Sequence, residues 1–181
     1  MTSGPRYGQP DREYGMRLAS TPAEDDGPVW MLNLMKYREV AEYADGSEST
    51  ISGREADGLY APLGPLATVG AQVVFMADVE QQLFGDAPRW DRVAIVKYPT
   101  RRAFIEMQSL PEFREKHVHK EASMQETIVM GCQPIELPER QDVEQPDWAD
   151  VPHPPTDEDG SIVILHVLRF NEGGADGPMA Q

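Results

Sequence analysis

The run VWMLNLMKY (29–37) constrains this chain more than any other stretch of it. It is apolar on both alternating faces, rich in strand-forming residues and preceded by no helix cap, so it reads as a strand covered on both sides. Three further runs share that character: AQVVFMADV (71–79), DRVAIVKYP (91–99), stopped by Pro99, and ETIVMGCQP (126–134), closed by Pro134. Between them lie a loop over 41–53 and helical patterns. Residues 54–68 predict a helix broken or started by Pro62 and Pro65 and ended near Gly70. Residues 100–108 predict a helix capped by Thr100, and roughly 110–123 a second one begun by a capping box at Ser109-Leu-Pro-Glu112. The order β-α-β-β-α-β is the split βαβ of an α+β, ferredoxin-like sheet with helices on one face. Its other face is apolar and needs a cover, which a second copy supplies, so a homodimer is expected.

That domain occupies residues 29–134. Residues 1–28 read as a flexible lead. Residues 135–160 hold nine acidic side chains, one basic one and five prolines, a large part of the chain's net charge of -15. Such a segment cannot bury enough apolar surface to offset its ordering entropy, so it reads as an acidic linker or surface strap that Trp148 could anchor. After it, GSIVILHVLRFNE (160–172) repeats the chemistry of GPVWMLNLMKYRE (27–39) at most positions. Residues 161–181 therefore read as an added strand, the first of a second copy, with a tail. A lone apolar strand seeks a sheet edge, and the linker is long enough to reach its own sheet or a partner's.

The negative charge argues against nucleic-acid or anionic-membrane partners, since either needs a basic face. Cys132 is the single cysteine, which excludes an internal disulfide; in its strand it reads as inert core. No apolar run approaches the length of a membrane span, and the N-terminus has no signal core. A reducing, cytoplasmic, bacterial-type setting is expected.

Strand alternation puts Met31, Asn33, Met35 and Tyr37 on one face and Trp30, Leu32, Leu34 and Lys36 on the other. Asn33, inside an apolar run, needs partners if buried and has two readings, a ligand contact or a structural hydrogen bond. His117 and His119 stand about 200° apart on a helix, so they cannot share one ion. His117 follows Phe113 by four residues and shares its buried stripe, with Glu121 four residues further on to orient it, while His119 points to solvent. Tyr60 can aim its hydroxyl into the helix–sheet cleft. The candidate catalytic residues are thus His117, Tyr60 and Asn33, with Met31, Met35, Phe113 and Glu121 against a small-molecule ligand. Arg101 and Arg102, at a helix start, are either solvated or grip the acidic strap. No phosphate loop, metal-ligand cluster or nucleophile triad rises above chance, and the sequence does not say which cofactor, if any, is used.

LFGD (83–86), WDRVAIVKYPTRRAFIEMQSLPEF (90–113) and ETIVMGCQP (126–134) resemble the family called domain of unknown function 1330. That resemblance spans about residues 29–134. It implies the dimeric α+β barrel superfamily, whose members include small monooxygenases, haem-binding enzymes and polyketide cyclases. KHVHKEA (116–122) and the segment after 134 depart from the family's pattern. Three functions are therefore expected: acid–base or cofactor-independent oxygenase chemistry on a small organic molecule, a non-catalytic dimeric binding module, or haem or metal held through His117.

Overall fold

The structure, a computed structural model, describes residues 7–85, 87–135, 147, 150–154, 156–158, 160 and 162–168. The chain divides into two units, Met1–Glu136 and Leu137–Gln181. The first holds α1 (Arg12–Ser20), β1 (Val29–Tyr37), α2 (Gly53–Tyr60), α3 (Leu63–Thr68), β2 (Gln72–Asp78), β3 (Arg92–Tyr98), α4 (Arg101–Ser109), α5 (Pro111–Ser123) and β4 (Met124–Cys132). It is an α+β, ferredoxin-like unit with one antiparallel sheet in the order β2-β3-β1-β4. Central β1 pairs Leu32 with Ile95 of β3 and with Met130 of β4.

Alternation along β1 sorts its side chains as expected. Val29 and Met31 join Tyr98, Leu66, Ala103, Met107 and Phe113 in the core under the helices. Leu32 and Leu34 join Val93 on the opposite face, beside Phe75, Ile95 and Met130. Arg92 and Lys97 likewise leave β3 on opposite faces, over the rings of Tyr37 and Trp30.

The expected helix over 54–68 is two helices, because the chain bends at Ala61-Pro62 before α3 begins. A capping box starts α2: Ser52 Oγ accepts from the Glu55 N–H, and Glu55 accepts from the Ser52 N–H at 2.7 Å. Thr100 caps α4 by accepting from the Ala103 N–H at 3.0 Å. The capping box expected at Ser109 does not form. The last turn of α4 takes in Ser109, whose hydroxyl donates back to the Glu106 carbonyl at 2.7 Å, and Glu112 pairs with Lys116 instead. Proline at the first position still opens α5.

The flexible lead expected over 1–28 is corrected where α1 lies, over Arg12–Ser20. Asp11 caps α1 through the Tyr14 N–H, and Leu18 is buried in the main core. Cys132 is exposed rather than core, because β4 is an edge strand and that position faces away from the helices. In the second unit, residues 162–168 carry no strand pairing, and their aliphatic side chains are exposed. A strand needs a ladder, and no strand lies within that unit among the described residues, so the sheet has four strands. Trp148, most of the acidic linker and residues 169–181 lie outside the described residues. No helix among the described residues is long and apolar enough to cross a membrane.

Candidate functional site

The best-formed constellation lies where α2 and α5 pack together over the helix-facing side of β1. Phe113, His117 and Lys120 form one stripe of α5 at helical spacing. Tyr60, at the end of α2, sets its ring edge-on to Phe113 at 6.0 Å and to His117 at 6.0 Å. His117 also tilts against Phe113, 5.2 Å between ring centres. These apolar walls leave the imidazole about one third exposed.

Both ring nitrogens of His117 face polar partners. The Tyr7 hydroxyl lies 3.2 Å from Nε2, and Glu121 Oε1 lies 3.8 Å from Nδ1. Burial pushes the imidazole below its usual range; Glu121 opposes that, and Lys120 adds to it. Burial, reinforced by Glu121, pushes the Tyr7 phenol up, so it stays a donor at neutral pH. The Glu121 carboxylate on the Nδ1 side favours the tautomer with its proton on Nδ1, which leaves Nε2 to accept from the Tyr7 hydroxyl. Burial likewise raises the Tyr60 phenol, with its tyrosine neighbours adding to the rise. A haem iron or metal taking Nε2 would have to displace Tyr7. Among the described residues no group of three His, Cys, Asp or Glu side chains could supply further ligands.

The remaining expected residues divide. Glu121 stands beside His117, but Met31 and Phe113 are core, 2% and 7% exposed. Asn33 is half-buried on the helix-facing side, and its amide donates to the Met31 carbonyl at 3.0 Å, a structural bond along its own strand. Met35 is buried and turns its sulfur to the Lys120 ammonium at 3.1 Å. His119 does leave the opposite side of α5 from His117, but it packs half-buried against Tyr43, whose hydroxyl lies 2.8 Å from Nδ1. Most of the acidic strap lies outside the described residues; the Arg101 guanidinium pairs with Asp26 at 3.6 Å, and the Arg102 side chain is exposed. Their backbone N–H groups donate to the buried carboxylate of Asp26 at 2.8 and 3.2 Å, which caps α4 a second time.

Sequence reasoning missed the deepest charges. Lys120, 9% exposed, donates to Asp57 Oδ1 at 3.0 Å, and its ammonium sits 5.3 Å from the centre of the Tyr60 ring. The Tyr37 hydroxyl donates to Asp57 Oδ2 at 2.8 Å. Burial pushes Lys120 down against the pull of Asp57, and burial followed by Asp57 pushes Tyr37 up. The signal was present: Lys120 is three residues past His117 and seven past Phe113, on the buried stripe. Tyr7 gave none, since 110 residues separate it from His117.

A separate open groove of about 300 Å³ lies beside α1, lined by Tyr14, Arg17, Thr21, Val29, Arg101 and Gly131 among others. It shares no lining residue with the His117 constellation.

No family model matches the chain, and no curated protein matches it. Solved structures do, among them two of the RPA0582 protein. One, the crystal structure of methylated RPA0582 protein, is 30% identical with a TM-score of 0.63, over 75% of this chain and 98% of that one. The other is RPA0582, a protein of unknown function from Rhodopseudomonas palustris. It is 29% identical with a TM-score of 0.63, over 72% of this chain and 98% of that one.

Proposed function

We propose that this chain, which belongs to the same family as the RPA0582 protein, is an acid–base enzyme for a small organic substrate, with His117 as the base. The observation that carries the reading is the line Tyr7–His117–Glu121 against the aromatic wall of Tyr60 and Phe113. A neutral imidazole can take a proton at Nε2 once substrate displaces the Tyr7 hydroxyl. Glu121 then stabilises the imidazolium from the Nδ1 side, and Tyr7 returns a proton to developing oxyanion character. Those steps suit isomerisation, cyclisation or elimination, and equally the deprotonation that opens cofactor-independent oxygenation. Lys120, three residues away, disfavours a resting imidazolium and keeps the base free.

We carry forward in the same sense the likeness to the domain of unknown function 1330 family, a bacterial cytoplasmic setting and a homodimer. Support for the dimer comes from the sheet face away from the helices, where Ile128 is exposed and Phe75, Ile95 and Met130 are only partly buried around the buried Leu32, Leu34 and Val93. A light-scattering mass of one chain at micromolar concentration would end the dimer. The competing reading, a binding module without chemistry, draws on the exposed aliphatic run 162–168.

Proton transfer is tested directly by deuterium uptake next to the carbonyl of a panel of small aryl ketones, followed by NMR. Wild type should exceed buffer, and a folded His117→Gln variant should not. Exchange at the buffer rate for every ketone, with no shift of the His117 ring resonances, would overturn the assignment. A His117→Gln variant that loses thermal stability yet keeps exchange would make His117 a core residue.

A further inference from the structure

The groove beside α1 carries a charge balance that the chain as a whole does not. The net charge of the chain is -15, yet the groove is lined by two guanidiniums, Arg17 and Arg101, and by no carboxylate. Leu18 and Val29, both buried, supply the apolar part of its lining. One wall comes close because Gly131 has no side chain: a Cβ there would collide with the Tyr14 hydroxyl, which donates to the Gly131 carbonyl at 3.4 Å.

The two guanidiniums are held differently. Arg101 is largely buried and fixed through Nη1, which donates to the Asp25 carbonyl at 3.2 Å and lies 3.6 Å from Asp26 Oδ1. The Asp26 carboxylate is met more closely by the backbone N–H groups of Gly27, Arg101 and Arg102, at 2.9, 2.8 and 3.2 Å, so the long ion pair leaves part of the guanidinium's charge unanswered. Both contacts of that guanidinium with described residues use Nη1. Its Nε–Nη2 edge, the pair of parallel donors that a carboxylate takes side-on, keeps its capacity. Arg17 lies over the Tyr14 ring, 5.6 Å from its centre. Its pair with Glu13, at 3.5 Å and exposed on both sides, is of the kind that contributes little and yields to a better acceptor.

We propose that this groove binds a small organic monocarboxylate with a short apolar body. Arg101 takes the carboxylate through Nε and Nη2, Arg17 closes over it from α1, and the apolar body lies along Leu18 and Val29 beside the Tyr14 ring. A groove of about 300 Å³ suits a ligand of that size. One negative charge is favoured over two or three, because each guanidinium already shares a carboxylate and the field of an acidic chain repels a polyanion. The groove shares no lining residue with the His117 constellation, and the inference does not rest on the assignment of His117.

The test titrates the isotope-labelled full-length chain with benzoate, benzamide and inorganic phosphate in mildly acidic buffer, where benzoate stays ionised, and follows amide and arginine Nε–H resonances by NMR. Benzoate should shift the Arg101 Nε–H and the amides of Thr21, Val29 and Gly131 saturably. It should bind at least about tenfold tighter than benzamide, which offers the same ring without the charge. Phosphate, which has no apolar body, should bind more weakly than benzoate. Arg101→Lys keeps the charge but loses the fork, and should weaken benzoate about tenfold. Arg17→Gln, at the exposed end, should weaken it about threefold. Absence of saturable shifts, benzamide binding as tightly as benzoate, or shifts centred on α2 and α5 would overturn the proposal without recourse to any variant. Undiminished binding by a folded Arg101→Lys variant would overturn it as well, and phosphate binding as tightly as benzoate would overturn the choice of a carboxylate with an apolar body.

Discussion

Replacing Asp57 by Ala is the sharpest perturbation of this unit, because one carboxylate ties three elements together. It accepts from Lys120 of α5 at 3.0 Å and from the Tyr37 hydroxyl of β1 at 2.8 Å, and it sits on α2. Both charged side chains are only 11% exposed, so solvent does little to screen the pair. Removing one partner of a buried pair leaves the other charge desolvated and costs about 3–5 kcal/mol. For a domain of this size that is roughly 10–15 °C in Tm. Urea unfolding followed by circular dichroism at about neutral pH measures it, and the slope against urea should not change. Two controls separate ion-pair loss from simple cavity formation. The double variant Asp57→Leu with Lys120→Met should recover at least about 2 kcal/mol of the loss, because paired apolar replacement of a buried ion pair is close to neutral.

The second control is pH. Without Asp57 the folded-state affinity of Lys120 for its proton falls further below that of the unfolded chain, whose lysine sits near its ordinary value of about 10.4. The unfolded state then binds more protons, so stability rises with pH through that window and the deficit of Asp57→Ala shrinks by about pH 9.5. A loss below about 1 kcal/mol, or a deficit that does not change with pH, would refute the view that this pair carries a desolvated charge.

Two further outcomes follow from the same geometry. Gly53→Ala should destabilise by at least about 2 kcal/mol in the same urea assay. Its new Cβ would meet the Ser123 carbonyl and the Arg38 backbone O and N at 2.6 and 2.8 Å, and none of these atoms can swing aside. Asp26→Asn should flatten the acid side of the stability–pH profile. N–H bonds from Arg101, Arg102 and Gly27 outweigh burial and hold this carboxyl low, so its contribution is present above the ordinary carboxylate range and lost as pH falls through its folded value.

The strands were legible to within a residue or two, since continuous apolar runs closed by proline leave little choice. β1 spans 29–37 as read, and β3 lies within 91–99. Helix α1 was not legible, because REYGMRLAS buries only Leu18 and its polar composition resembles a tail. At Ser109, turn chemistry misled: the motif fits a capping box, but the preceding helix had already claimed the hydroxyl. At the candidate site, spacing found His117, Phe113 and Glu121, which lie within one helix. The same spacing pointed to Lys120, but a lysine beside glutamates reads as surface charge unless its buried neighbours are known.

Tyr7 shows why the remainder was out of reach, and why it matters to the site. Its backbone carbonyl accepts from the Thr127 N–H at 3.1 Å, so this residue of the supposed lead occupies part of the free edge of β4. A few residues later α1 buries Leu18 in the core and sets the Tyr14 hydroxyl 3.4 Å from the Gly131 carbonyl on the same strand. The segment is held by backbone and packing contacts at several points along β4, none of which composition reveals. Those contacts fix the position from which the Tyr7 hydroxyl meets His117, so the protection of a sheet edge and the polarity of the imidazole come from one residue. Without that segment His117 would keep only its charged neighbours, Glu121 at 3.8 Å from Nδ1 and Lys120, and Nε2 would lose the Tyr7 hydroxyl.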